Sequence, residues 1–137
     1  PAAARFMAAV TAASVPMITV ILKRAIGGGY IAMGSLGLGA DRAFAWAGAE
    51  IGLMVPASAV CLNPDLLQNA NDPINDRKAI ENAYALEHMD ALVAAKAGYI
   101  SEPIEPAYTR KHIIAAVSSF YGKREESLPR KNPVLPI

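Results

Sequence analysis

At 137 residues the chain has room for one domain with a single core. Apolar residues make up 53% and charged residues only 18%, so part of the surface is expected to lie against partners. A net charge of +1 gives no global field for nucleic acid or an anionic membrane, and the lone Cys61 cannot close an internal disulfide, which points to a reducing compartment.

The chain opens on Pro1, without an initiator Met, and reads as a fragment or a processed product. Residues 2–14 predict a helix with Phe6, Val10 and Ala13 on one face. Residues 6–22 carry no charge over 17 positions, the lower limit for a membrane span. Thr11, Ser14 and Pro16 interrupt that run, and the composition turns from alanine-rich to β-branched at Pro16, so a helix followed by a strand is expected instead. Residues 17–22 predict a strand buried on both faces. Gly27, Gly28 and Gly29 predict a turn, and residues 30–34 a short helix. Residues 36–41 read as a loop or broken helix end, 43–46 and 50–54 as short strands, and 56–62 as a short helix. Residues 63–76, rich in Asn, Asp and Pro, form the expected exposed connection. Residues 77–97 predict one helix closed by Gly98, and 99–104 a short extended piece. Pro106 opens a final helix with Ile113, Val117, Phe120 and Tyr121 on its buried face. Pro129, Pro133 and Pro136 exclude regular helix from the tail, residues 123–137. Residues 1–137 thus read as a single α/β domain.

Side-chain chemistry is scarce. His88 and His112 lie on separate predicted helices, and H-E-x-x-H and C-x-x-C are both absent, so no metal site is expected. Both histidines read as surface or packing residues, and Cys61, in an apolar stretch, as an inert buried thiol. Lys123-Arg124-Glu125-Glu126 reads as a solvated mixed-charge patch, and there is no G-x-S-x-G. An active site here must lean on backbone dipoles. Gly27-Gly28-Gly29-Tyr30-Ile31-Ala32 formally satisfies the dinucleotide fingerprint G-x-G-x-x-A. Against that, residues 23–26 separate the predicted strand from the glycines, and neither Asp41 nor Glu50 sits where the acidic partner is needed. Three readings of the glycines stand at this level: a turn needing positive φ, an oxyanion or phosphate site, and a dinucleotide turn.

The segment Val15-Pro16-x-Ile18-Thr19-Val20-Ile21-Leu22-x-x-Ala25-x-Gly27-Gly28-Gly29-Tyr30-Ile31-Ala32-Met33-Gly34-Ser35 resembles the core motif of biotin-dependent acyl-CoA carboxylase carboxyltransferase subunits, of the propionyl-CoA and acetyl-CoA β type. The likeness continues through Leu38-Gly39-Ala40-Asp41, Phe44-Ala45-Trp46 and Ala49-Glu50-Ile51-x-x-Met54. It resumes at Ala94-Ala95-x-x-Gly98-Tyr99-Ile100, Ile104-Glu105-Pro106 and Thr109-Arg110. The end, Lys123-Arg124-Glu125, Leu128-Pro129 and Leu135-Pro136-Ile137, is also similar.

The resemblance implies a crotonase-like (ClpP/crotonase) fold, and only the C-terminal half of a carboxyltransferase domain. It implies a carboxyl group passed from carboxybiotin to the α-carbon of an acyl-CoA, at a site shared with an N-terminal carboxyltransferase domain or subunit. Gly28 and Gly29 match the pair whose N–H groups stabilise the biotin ureido oxygen; Gly27, Tyr30 and Ile31 match the surrounding pocket, with Ile31 at a position lining the acyl site. Two oxyanion holes and biotin as base would need no side-chain catalyst. Biotin would arrive on another chain or domain, since no Met-Lys-Met motif is present, from a biotin carboxylase and biotin carrier subunit. An oligomer in the bacterial cytoplasm or mitochondrial matrix is implied, without nucleic acid, a membrane span or a metal.

The sequence departs from the pattern at Val55-Pro56-Ala57-Ser58-Ala59-Val60-Cys61, where the family has Gly-Pro-Glu-Gly-Ala-Val-Asn, at Ala47 for Pro, and at Asp90-Ala91 for Asn-Pro. These changes bear on substrate and activity. Alternatives are the carboxyltransferase subunit of a biotin-dependent decarboxylase, another crotonase-like acyl-CoA enzyme, or a non-catalytic assembly subunit retaining the fold. The fragment alone is expected to be inactive.

Overall fold

Two small parallel sheets are laid down together, one strand to each in turn. The computed structural model describes residues 2–63, 65, 72 and 76–123. After helix α1 (Ala2–Ala12) come strand β1 (Ile18–Ile21) and strand β2 (Arg24–Ile26), and helix α2 (Gly27–Ala32) follows β2 directly. A 3-10 turn (Leu36–Leu38) leads to β3 (Arg42–Trp46), β4 (Glu50–Gly52) and helices α3 (Pro56–Leu62), α4 (Arg77–His88) and α5 (Ala91–Lys96). Strand β5 (Glu102–Ile104), a second 3-10 turn (Pro106–Tyr108) and α6 (Thr109–Ser119) complete the described chain. The three-stranded sheet has the order β1-β3-β5, and the two-stranded sheet pairs β2 with β4. The unit is therefore strand, strand, helix, used twice, with β5 opening a third turn. All three strand pairings are parallel, which requires the long crossovers the helices supply. The α/β class expected from the sequence is what the chain forms.

Strand β3 shows how alternation builds the core. Ala43 and Ala45 face one cluster with Ile21, Ala25, Ile51, Ala91, Ala94 and Ile100, while Phe44 faces a second with Ile104 and Ala116. The small alanines let α5 lie close to the sheet. Arg24 and Glu50, register partners in β2 and β4, join side chains at 2.7 Å and fix that pairing.

Several expectations need correction. Of β1 only Ile21 is buried, because β1 is an edge strand and just one neighbour covers it. The single helix expected over 77–97 is two, broken at Met89-Asp90, where β4 intervenes: Ile51 N–H donates to the Met89 carbonyl at 2.8 Å, and Glu50 bridges to Asp90. On α6 only Ala116 is buried, whereas Val117 and Tyr121 are exposed. The expected face of α1 is only partly covered: Phe6 is exposed, Val10 and Ala13 are half-buried, and no residue of that helix is fully buried. Cys61 is exposed and lies 2.9 Å from the Arg77 guanidinium, so it is no buried thiol. Lys123, expected in a solvated patch, is largely enclosed and bonds Asp41 at 2.6 Å. Most of the connection over 63–76 and the tail from 124 lie outside the described residues.

Candidate functional site: an uncapped glycine helix

Strand β2 ends at Ile26 and the next residue begins α2, so the three glycines are a first helical turn rather than a loop. The expected gap between strand and glycines does not exist. Residues 24–26 hide their strand character because Arg24 is charged and only Ala25 is buried. What separates this turn from a dinucleotide site is topology: its strand belongs to the smaller of two sheets, not to the first βαβ unit of one doubly wound sheet.

Each glycine has its own reason. Gly27 has φ +70°, and a Cβ there would stand 3.4 Å from the Leu53 carbonyl oxygen, so the tight-turn reading holds at this position. Gly28 and Gly29 have no positive φ, and a Cβ on either would meet no atom within 4 Å. Among the described residues neither backbone nor packing requires them to be glycine. Glycine costs up to about 1 kcal/mol against alanine in a helix, and here it leaves the peptide edge bare. The first turn of a helix has no intrahelical acceptors for its N–H groups, and Ile26, in the capping position, offers no side chain to them. The result is a short row of exposed donors at the positive end of a helix.

Apolar groups rim the turn. Leu53, Met54 and Val55 follow β4 and are all exposed, as are Ile31 of α2 and Met33 just past its C-terminal end. A groove of about 660 Å³ runs between β1–β2 and the side of α2 formed by Gly29, Tyr30 and Met33. Gly29 and Tyr30 thus share a groove; Gly27, Gly28 and Ile31 do not line it. Tyr30 turns its ring into the core and donates its hydroxyl to the Tyr99 carbonyl at 2.9 Å. Burial, and secondarily the Tyr99 hydroxyl, push its ionisation above the ordinary tyrosine range, so it stays a protonated donor.

The histidines lie elsewhere. His112 approaches Glu102 at 3.2 Å and stacks edge-on to Phe44, and His88 stacks on Tyr84. Among the described residues no three His, Cys, Asp or Glu side chains gather as metal ligands, and no helix is long and apolar enough to cross a membrane. The sequence reading missed Thr19, whose hydroxyl donates to the Gly34 carbonyl at 2.6 Å, and the Leu53–Val55 rim. Thr19 could have been noticed as the one hydroxyl within β1.

The carboxyl transferase domain model matches residues 2–135. The chain belongs to the carboxyl transferase domain family. It is 37% identical over 98% of its length to the methylmalonyl-CoA decarboxylase subunit alpha of Propionigenium modestum. It is equally 37% identical to the propionyl-CoA carboxylase carboxyltransferase subunit of Haloferax mediterranei. Its backbone superposes on the transcarboxylase 12S crystal structure, a hexamer assembly, with a TM-score of 0.89 at 34% identity, covering 98% of this chain. The chain spans about a quarter of the length of these relatives, 26% of each. The fold is therefore the crotonase-like fold of carboxyltransferases, as the motif implied. A beta subunit of geranyl-CoA carboxylase, 18% identical, shares that fold with a TM-score of 0.69.

Proposed function

We propose that this chain supplies the biotin-side half of a carboxyltransferase site, with the Gly28 and Gly29 amides as donors to the biotin ureido oxygen. One observation carries the assignment: two exposed glycines, with no conformational or packing need to be glycine, at an uncapped helix start. A bare peptide edge lets a ligand oxygen approach both N–H groups, which is what a developing oxyanion requires. Biotin, carried on another chain or domain, would bring the carboxyl group and, after giving it up, the base that acts on the acyl α-carbon. Gly27 sets the turn, Tyr30 supports it, and Ile31, exposed beside it, shapes the acyl end of the pocket. The exposed Leu53–Val55 rim offers an apolar seat for the N-terminal carboxyltransferase domain or partner subunit that would hold the acyl-CoA.

The relatives support a propionyl-CoA/methylmalonyl-CoA pair, since a carboxylase and a decarboxylase subunit match equally well. The two run one transfer in opposite directions, so the decarboxylase reading stands beside the carboxylase one with the same residue roles. Within the assembled complex, with methylmalonyl-CoA as donor and free biotin as acceptor, Gly28→Pro and Gly29→Pro each remove one donor. First-turn proline breaks no intrahelical bond. We expect kcat to fall about 100-fold or more; an unchanged rate leaves a non-catalytic assembly role as the better account. Measurable transfer by this isolated chain would refute the half-site role.

A further inference from the structure

A six-residue helix with three glycines does not hold its own shape in water. None of its residues is fully buried and no side chain caps its start, so its orientation is set from outside. Besides its direct continuation from β2 and the local bond from the Ser35 hydroxyl to the Ile31 carbonyl at 3.3 Å, two hydroxyl bonds tie it to distant parts of the fold. At the C-terminal end Gly34 turns the chain with φ +99°, and the Thr19 hydroxyl of β1 donates to its carbonyl at 2.6 Å. The same oxygen stands 3.2 Å from where a Gly34 Cβ would be, so Thr19 sits directly on the turn. In the middle of α2 Tyr30 donates to the Tyr99 carbonyl between α5 and β5, with its ring against the core. One bond ties the turn after the helix to β1 of the three-stranded sheet; the other ties its middle to the chain between α5 and β5.

We propose that Thr19 and Tyr30 are positioning residues whose hydroxyls aim the Gly28 and Gly29 amides at the reacting oxygen. The inference rests on the carboxyltransferase reading of the turn. An oxyanion hole tolerates little displacement of its donors, and a shift of 1 Å in a positioned group can cost orders of magnitude in rate. Both hydroxyls donate to carbonyls of this chain, so their effect is expected on turnover and not on acyl-CoA binding.

The test uses the assembled complex with methylmalonyl-CoA and free biotin. Thr19→Val keeps the branched shape and removes the donor; Tyr30→Phe keeps the ring and removes the donor. We expect kcat to fall about tenfold for Thr19→Val and about fivefold for Tyr30→Phe, with KM for methylmalonyl-CoA unchanged. Thr19→Ser, which keeps the hydroxyl, should return kcat to within about twofold of the parent. If kcat stays at the parent value while the melting temperature drops, the hydroxyls are structural only and the inference fails. If Tyr30→Phe does not assemble, the Thr19 pair decides. Should Gly28→Pro also leave the rate unchanged, the carboxyltransferase reading itself falls; a Gly28→Pro loss without a Thr19→Val loss overturns only the positioning role.

Discussion

Helices α2 and α5 invite comparison. Each is six residues long, and each springs from one side of β4: α2 follows Ile26, the register partner of Gly52, and α5 follows Asp90, which bridges to Glu50. Their first turns are opposites. Asp90 folds its carboxylate back onto the Leu92 N–H at 2.7 Å, and Ala91 and Ala94 are buried beneath the helix. Helix α2 opens on Gly27-Gly28-Gly29 where α5 has Ala91-Leu92-Val93, and isoleucine stands where α5 has aspartate. One helix caps its own first turn and serves the core; the other has no side-chain cap, and in the proposed function its amides receive a group from outside. In a fold this small, that difference separates scaffold from site better than any inventory of polar side chains.

Exchanging the caps breaks the contrast most sharply. Ile26→Asp would give α2 the acceptor α5 already has, occupying the amides proposed to receive the ligand. Steady-state carboxyl transfer by the complex should fall about 100-fold, on the scale of a lost oxyanion donor, and an undiminished rate would mean the amides are not the site. The converse change is milder. Asp90→Ala should lower unfolding free energy by about 1 kcal/mol while leaving the transfer rate alone, as read from denaturant midpoints and an activity assay.

A third amide sharpens the comparison with the smallest effect. Asp41 accepts from the Met17 N–H at 2.8 Å and from Lys123 at 2.6 Å. Lys123 first, then the Met17 amide, holds its carboxyl below the ordinary carboxylate range. The folded chain therefore binds fewer protons there than the unfolded one. This stability is complete above about pH 4 and is lost as pH falls through the lowered folded value. Denaturant midpoints of the parent and Asp41→Asn should converge toward acid pH; parallel profiles would show that the charge contributes nothing.

Much of this was legible in the sequence for plain physical reasons. Pro56 marks the start of α3 and the β-branched run marks β1, because each is a local preference that tertiary structure did not override. The glycine row was visible too, and the motif around it led to the family. Strand β2 was not, since a three-residue strand opening on arginine forms by pairing with β4, 26 positions away, and by burying Ala25 alone. The break before α5 escaped for a similar reason: residues 77–97 keep a helical period throughout, and only the β4 contacts at Met89 and Asp90 interrupt it. Aspartate before an alanine-rich run was the available clue. The buried face assigned to α6 failed because periodicity ranks side chains by hydrophobicity but does not say how much of a neighbour is there to cover them.

The register of the three-stranded sheet has a kinetic consequence. Strands β1 and β3 pair across 24 positions, as Ile18 with Arg42, whereas β3 and β5 pair across 58, as Phe44 with Glu102. Loop-closure entropy makes the second pairing costlier by about 0.8 kcal/mol. The β1–β3 pair, with α2 enclosed in its crossover, is thus the cheaper one to close. Folding would set the glycine helix on its sheet before α5 and β5 arrive, and the Tyr30–Tyr99 bond would be among the last contacts to lock it.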